Sequence, residues 1–281
     1  MKIGIVGLGL IGGSLCRAIK LYTDHRVYGG TRNQATIAFA KSVGAIDEAI
    51  EDLSELDICI PALPPEATMD FLVSNVGNFK KGAIVMDICG VKEPICQVAD
   101  KLYHDAGIRF VGGHPMAGKE RAGFANSDAD LYQGASFILT PTQYTDLEAL
   151  EILTQLGYDI GCRRVIRATP NEHDRNIAYT SQLAHVVSSA YVKSPTVAHV
   201  LGFTAGSFQD MTRVAKLDVE MWSTLFLANK EPLLAEIDTL IQNLTQFRQE
   251  LSAENREEMA NLLQKGKDLR EEVLRKQHQS A

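Results

Sequence analysis

The strongest constraint on this chain is the glycine spacing Gly7-Leu8-Gly9-Leu10-Ile11-Gly12, placed directly after the apolar run Lys2-Ile3-Gly4-Ile5-Val6. A short run of that kind reads as a buried parallel strand. Glycines so spaced between a strand and a helix form the fingerprint that seats a dinucleotide pyrophosphate. The first allows a tight turn, the second lets backbone approach the phosphates, and the third lets helix pack on strand. The N-terminus of the following helix adds unpaired N–H donors and partial positive charge. Elsewhere the same spacing is only a glycine-rich turn. Behind a strand it makes Gly7, Leu8, Gly9, Leu10, Ile11 and Gly12 candidate cofactor-binding residues.

Strand and helix then alternate. Strands are expected at 26–30, 57–61, 83–87, 109–111 and 136–140, with a last one at 158–162. Helices are expected near 10–20, 33–43, 65–73, 93–104 and 147–156. Such alternation predicts βαβ units and a doubly wound, parallel Rossmann-type sheet. The pattern changes near residue 169, where Thr169-Pro170 reads as a helix N-cap followed by Pro at the first helical position. No convincing strand follows, and residues 222–276 are almost continuously helical in pattern. The expected architecture is an α/β dinucleotide-binding domain, residues 1–168, and an all-α C-terminal domain, residues 169–281. The long apolar stripe of the latter predicts a homodimer built through the C-terminal helices.

Composition narrows the partners. A formal net charge of −7 argues against a nucleic acid or a membrane surface, which need clustered Lys and Arg. It leaves room for a small anionic substrate held by local basic groups. The five cysteines, Cys16, Cys59, Cys89, Cys96 and Cys162, are odd in number and form no CxxC pair. They read as buried, reduced thiols, and no metal site is expected. Neither a signal-peptide pattern nor an apolar run of roughly 18 residues is seen, so the expected location is the cytoplasm.

The end of the second strand bears on which dinucleotide is bound. It reads Val27-Tyr28-Gly29-Gly30-Thr31-Arg32-Asn33, without the acid that would accept from a ribose 2′-hydroxyl. Thr31 can donate to a 2′-phosphate and Arg32 can pair with it, so NADP is favoured, with NAD left open and Arg32 as a plain surface residue the alternative. Asn33, Ala62, Leu63 and Gly90, at or just past strand ends, complete the candidate cofactor set.

Two further segments carry chemistry. Gly112-Gly113-His114-Pro115-Met116-Ala117-Gly118 sets a histidine between rigid flanks at the carboxyl end of a strand, where such sheets bind ligands. Imidazole can accept a proton near neutrality, so His114 is a candidate base. In the helical half, His173, Ile177, Ser181 and His185 recur every fourth residue and would share a face of a continuous helix. Core or interface histidines are the plain alternative for that pair. Further on, Asp210 and Arg213 lie at helical spacing, and Arg213 is a candidate carboxylate clamp, with pairing to Asp210 alone as the alternative.

On these residues the chain resembles the prephenate/arogenate dehydrogenase family of tyrosine biosynthesis, nearly end to end. The likeness is carried by the segment Gly7 to Leu15, Asp87 to Lys92, Gly112 to Gly118, Thr140-Pro141-Thr142, His173-Asp174 and Asp210-Met211-Thr212-Arg213. The resemblance implies oxidative decarboxylation of prephenate to 4-hydroxyphenylpyruvate with hydride transfer to NADP or NAD, or the same reaction on arogenate to give tyrosine. It implies that His114 takes the proton of the ring hydroxyl, that Arg213 holds the ring carboxylate, and that His185 lines the pocket. Lys216 is a further candidate for its positive lining, and Trp222 is expected in the core or at a subunit interface. Two departures stand out: Gly90 replaces a serine that in the family assists the histidine and touches the nicotinamide, and Thr31 replaces the acid after the second strand. Two rivals stay open on the residues alone. One is a β-hydroxyacid or imine reductase of similar build, and the other a non-catalytic NADP-binding sensor.

Overall fold

The computed structural model describes residues 1–119 and 121–279. The first compact unit, Met1–Lys230, begins with β1 (Lys2–Val6), α1 (Leu10–Tyr22), β2 (Arg26–Gly30), α2 (Gln34–Ser42), β3 (Glu48–Ala49) and β4 (Ile58–Pro61). It continues through α3 (Pro65–Asn75), β5 (Ile84–Asp87), α4 (Glu93–Asp105), β6 (Arg109–Pro115), β7 (Ser136–Thr140), α5 (Leu147–Asp159) and β8 (Arg164–Arg167). The strands form one sheet in the order β3-β2-β1-β4-β5-β6-β7-β8. Every neighbouring pair is parallel except β6–β7.

The central strands are apolar on both faces, and their two-residue period sorts the side chains into two cores. Ile58, Ile60, Ile84, Met86 and Val111 join one cluster with Leu15 and Ile19 of α1 and Leu150 and Leu153 of α5. Cys59, Val85 and Phe110, the intervening residues, join the other with Leu72 of α3 and Ile95, Ala99 and Tyr103 of α4. Helices therefore cover both faces, the doubly wound arrangement expected from the alternation. All five cysteines are buried and free, as their number and spacing predicted.

Up to the helix after residue 169, the structure departs from the sequence reading in four places. The strand expected at 109–111 runs on to Pro115, because β7 returns antiparallel and pairs Gly112–Pro115 with Phe137–Thr140; His114 thus sits in a strand and not in a loop. The strand expected at 158–162 is instead the end of α5 and a turn at Gly161 (φ +96°), and β8 begins only at Arg164. A two-residue edge strand, β3, has too few residues for an alternation to show. The fourth departure is a break in the helix that follows residue 169.

That helix starts as α6 (Pro170–Ile177), makes a π-helical turn at Ala178–Gln182, and resumes as α7 (Leu183–Tyr191). Thr169 caps it: its Oγ1 accepts from Glu172 N at 3.2 Å, while Glu172 Oε2 accepts from Thr169 N at 2.8 Å. Short helices α8 (Gly206–Thr212) and α9 (Val219–Ala228) follow, and α10 (Lys230–Ser252) begins at the unit's end. The second unit, Glu231–Ala281, holds the rest of α10 and α11 (Arg256–Gln279), separated by a turn in which Glu254 takes φ +52°. Helix dominates from 222 onward as expected, with that turn breaking the continuity. No helix among the described residues is long and apolar enough to cross a membrane.

Because α6 presents two of the side chains described below, its cap is a stability element with a measurable weight. Thr169→Ala should cost about 1 kcal/mol of unfolding free energy in urea denaturation, the usual worth of a capping oxygen; an unchanged midpoint would remove the cap from that role.

Candidate active site

The three fingerprint glycines do three different jobs. Gly7 sits at φ +103°, and a Cβ there would meet Ala62 O at 2.4 Å and Leu63 Cδ2 at 2.9 Å. A Cβ at Gly12 would meet Gly7 O at 2.0 Å, so α1 packs on the turn only because both positions lack a side chain. A Cβ at Gly9 would meet nothing within 4 Å. Gly9 is also the N-cap of α1, which has neither a side-chain cap nor an acid in its first turn. The first-turn N–H groups are thus left for a ligand, as a pyrophosphate requires. Ala62 and Leu63 close the floor of this cradle, as candidates at the end of β4.

The adenosine end is less committed. After β2, Thr31 is half-buried and Arg32 exposed. The side-chain oxygen Oδ1 of Asn33 accepts from Ala35 N and Thr36 N and caps α2, so that atom is used within the protein. Thr31, Arg32 and Asn33, the residues that follow β2, include no carboxylate. The cradle, the bare helix N-terminus and the open face at Gly9 together fit a nicotinamide dinucleotide.

His114 lies further along the same carboxyl edge of the sheet, in the last turn of pairing between β6 and β7. Its Nδ1 is 2.8 Å from His173 Nε2, with the ring planes inclined at 63°. His173 Nδ1 is 2.7 Å from Asp174 Oδ1. Asp174 is buried, and its two oxygens also accept from Lys92 N (2.7 Å) and Glu93 N (2.8 Å), the first backbone donors of α4. The helix dipole favours a negative charge at that spot. Asp174 therefore serves α4 as a cap and His173 as an acceptor. No side chain among the described residues is hydrogen-bonded to His114 Nε2.

Beneath this chain of contacts lies a fully buried ion pair, Lys92 Nζ with Asp87 Oδ2. Lys92 also donates to Gly113 O at 2.7 Å, and Asp87 Oδ2 accepts from Cys89 N at 2.9 Å. Burial, the neighbouring His173 and the Lys92 cation hold the His114 pKa well below its ordinary value of 6.5. Burial likewise lowers His173, against the opposing pull of Asp174. Both rings are neutral at pH 7, the state in which an imidazole can accept a proton.

The helical wall is set by the π turn. Over the residues from 173 to 185 a straight α-helix would rotate His185 about 120° away from His173. One residue inserted as a π bulge takes up about 100° of that, returning the two rings to nearly one side. His185 Nδ1 donates to Ser181 O at 2.9 Å, and its ring stacks on Trp222 with centroids 3.6 Å apart. Leu225, one turn along α9 from Trp222, reaches toward Gly90. A Cβ at Gly90 would lie 3.5 Å from Leu225 Cδ2 and 3.9 Å from both Cε1 and Nε2 of His114. Two buried amides hold α9 here: Asn229 Nδ2 donates to Asp174 O and Gln182 Oε1, and Gln182 Nε2 donates to Leu225 O. Arg213 begins a short turn after α8, Lys216 follows it, and both are exposed. That turn packs on α7, which carries His185.

The structure thus brings together His114, Gly90 and the helix bearing Trp222 and its partner His185, and separately the cradle of Gly7, Gly9, Gly12, Ala62 and Leu63. Sequence reasoning assigned no role to His173, Asp174, Lys92 or Asp87. They were marked in the sequence as parts of the segments Asp87 to Lys92 and His173-Asp174 that carry the family resemblance, but their pairing was not, since Lys92 and Asp174 are distant in the chain. Trp222, expected in the core or at an interface, is half-buried against His185.

A dinucleotide cradle with a neutral imidazole at the same sheet edge defines an NAD(P)-dependent dehydrogenase. Two family models match: the nucleotide-binding domain of prephenate dehydrogenase over residues 15–166, and the prephenate dehydrogenase dimerization domain over residues 169–265. A prephenate dehydrogenase of Bacillus subtilis (strain 168) is 30% identical over 95% of this chain and 74% of its own length. The crystal structure of A. aeolicus prephenate dehydrogenase, in complex with hydroxyphenyl propionate and NAD+, superposes with a TM-score of 0.87 at 29% identity, covering 97% of this chain and 98% of that one. The structure of Synechocystis arogenate dehydrogenase gives 0.84 at 31% identity, covering 97% of this chain and all (100%) of that one. The chain belongs to the prephenate dehydrogenase family.

The two depressed histidines set a pH dependence. Between their folded pKa values and 6.5 the unfolded chain binds more protons than the folded one, so stability falls as pH drops below about 6.5. Urea midpoints should decrease from pH 7.5 to pH 5.5, and less so in His114→Asn. A midpoint that rises on acidification would contradict neutral buried rings.

Proposed function

We propose that the protein oxidises and decarboxylates prephenate to 4-hydroxyphenylpyruvate, using NADP in preference to NAD. The observation that carries this reading is the position of His114 on the sheet edge that also holds the glycine cradle, with no side chain among the described residues hydrogen-bonded to its Nε2. Family membership supports the substrate class, a small anionic cyclohexadiene. The Synechocystis relative supports arogenate as a second reading.

The dinucleotide would be held by Gly7 to Gly12, Ala62, Leu63 and Gly90, with Thr31, Arg32 and Asn33 at its adenosine end. When bound, its nicotinamide supplies the hydride acceptor. His114 Nε2 takes the proton of the ring hydroxyl while the hydrogen on that carbon departs with its electron pair and a carbonyl forms. The carbonyl is conjugated with the carbon bearing the ring carboxylate. The bond to that carboxylate then breaks, carbon dioxide leaves, and its electron pair makes the ring aromatic. His114 returns its proton to the phenolate oxygen, so the protein ends as it began. Arg213 anchors a substrate carboxylate, and His185 and Lys216 line the pocket with polar and positive groups. Fixed positioning of this kind lowers a barrier by several kcal/mol, and base catalysis contributes roughly 10²–10⁴ in rate.

The functional division falls near residue 169, with cofactor binding before it and substrate binding and dimerisation after it. A homodimer is supported by the matched dimerization domain and by apolar side chains left exposed in the single chain, among them Leu244, Leu251 and Leu263.

Initial rates on prephenate and arogenate with each cofactor, followed by nicotinamide absorbance, test the reading directly. His114→Asn should lower kcat by 10²–10⁴ with KM little changed, and Arg213→Ala should chiefly raise KM. An effect of His114→Asn on KM alone would remove it as the base. Cofactor binding without turnover of either acid would instead favour the sensor. Thr31→Asp should shift the kcat/KM ratio toward NAD, through repulsion of a 2′-phosphate; undiminished use of NADP would overturn the cofactor preference.

A further inference from the structure

We propose that His173 and Asp174 are positioning residues that fix the tautomer of His114 and so decide which of its nitrogens acts as the base. The proposal rests on His114 being the proton acceptor, and it follows from the order of donors along three groups. Asp174 is an acceptor on both oxygens: two backbone N–H groups of α4 point at it, from Lys92 and Glu93. The third contact, His173 Nδ1 at 2.7 Å, must therefore be an N–H. A neutral His173 with its proton on Nδ1 has a lone pair on Nε2. That lone pair faces His114 Nδ1 at 2.8 Å, so His114 donates there and carries its own lone pair on Nε2.

Nε2 is the nitrogen beside Gly90. A Cβ at that position would be 3.9 Å from it, at ordinary contact distance, so Gly90 leaves space beside the lone pair. The resemblance puts a serine hydroxyl here in related chains; this chain has none. The orientation of its imidazole is therefore set from the opposite, Nδ1 side. When Nε2 accepts the substrate proton, the resulting imidazolium keeps its Nδ1–H bond to His173, and the Asp174 carboxylate lies one ring further along. No proton needs to leave His114 for that charge to be stabilised.

The pair can be tested without altering α4, which Asp174 also caps. His173→Gln retains an acceptor: its amide NH2 faces the Asp174 carboxylate and its oxygen faces His114 Nδ1–H. His173→Leu keeps bulk and removes the acceptor. In nitrogen-15 NMR of histidine-labelled protein, His114 of the wild type and of His173→Gln should show Nδ1 protonated and Nε2 bare. In His173→Leu the Nε2–H form should appear. Steady-state kinetics on the better of the two substrates should show kcat falling roughly 10²–10³-fold in His173→Leu with KM within a few-fold, and most of the loss restored in His173→Gln, in keeping with the worth of a tautomer-fixing partner to an imidazole base. A wild-type His114 protonated on Nε2, or a His173→Leu protein that keeps its kcat, would overturn the proposal. If the wild type shows the stated tautomer yet turns over neither substrate, the reaction assignment fails and the positioning role of the pair stands.

Discussion

Asp174 is the group on which the rest of the site depends. Its carboxylate satisfies two orphan donors at the N-terminus of α4 and receives the N–H of His173, while its own backbone carbonyl accepts from Asn229. Burying a carboxylate is costly unless hydrogen bonds replace its water; here the donors to the carboxylate come from α4 and α6, and the end of α9 holds the backbone of the same residue. One charge therefore ties a Rossmann helix to the helical segment that follows and orders the chain of rings leading to His114.

The second constraint is electrostatic. Lys92 and Asp87 are fully buried, a costly arrangement unless paired and hydrogen-bonded. The cation keeps positive charge close to His114 and His173, which with burial holds both rings neutral. Lys92 also donates to Gly113 O, next to His114 in β6. Position and protonation state of the imidazole thus share one origin, and the antiparallel return of β7 is what keeps this stretch extended.

Much of this was legible in the sequence because the signals were local. The glycine fingerprint, the short apolar runs of the central strands and the Thr169-Pro170 cap each depend on neighbours in the chain, and these elements lie where expected. The misses were non-local. β6 extends through Pro115 because β7 pairs with it, and the helix after Thr169 takes a π turn where Gln182 engages α9. The lost strand at 158–162 shows the limit of an apolar run as evidence, since α5 runs on to Asp159 and a turn at Gly161 follows. Among site residues, His114 stood out through its rigid flanks, whereas Lys92 and Asp87 lay in a segment noted only for its resemblance until burial showed them to be an ion pair.

The sequence by itself determined the dinucleotide fold, the location of its phosphate cradle and the candidacy of His114, because backbone conformation at glycine and periodicity along strands act over a few residues. Only the tertiary structure decided that His173 stands between His114 and Asp174, that His185 stacks on Trp222, and that Gly90 opens beside the imidazole. Those contacts join residues tens of positions apart, and their direction, burial and donor order exist only once the helices have packed onto the sheet.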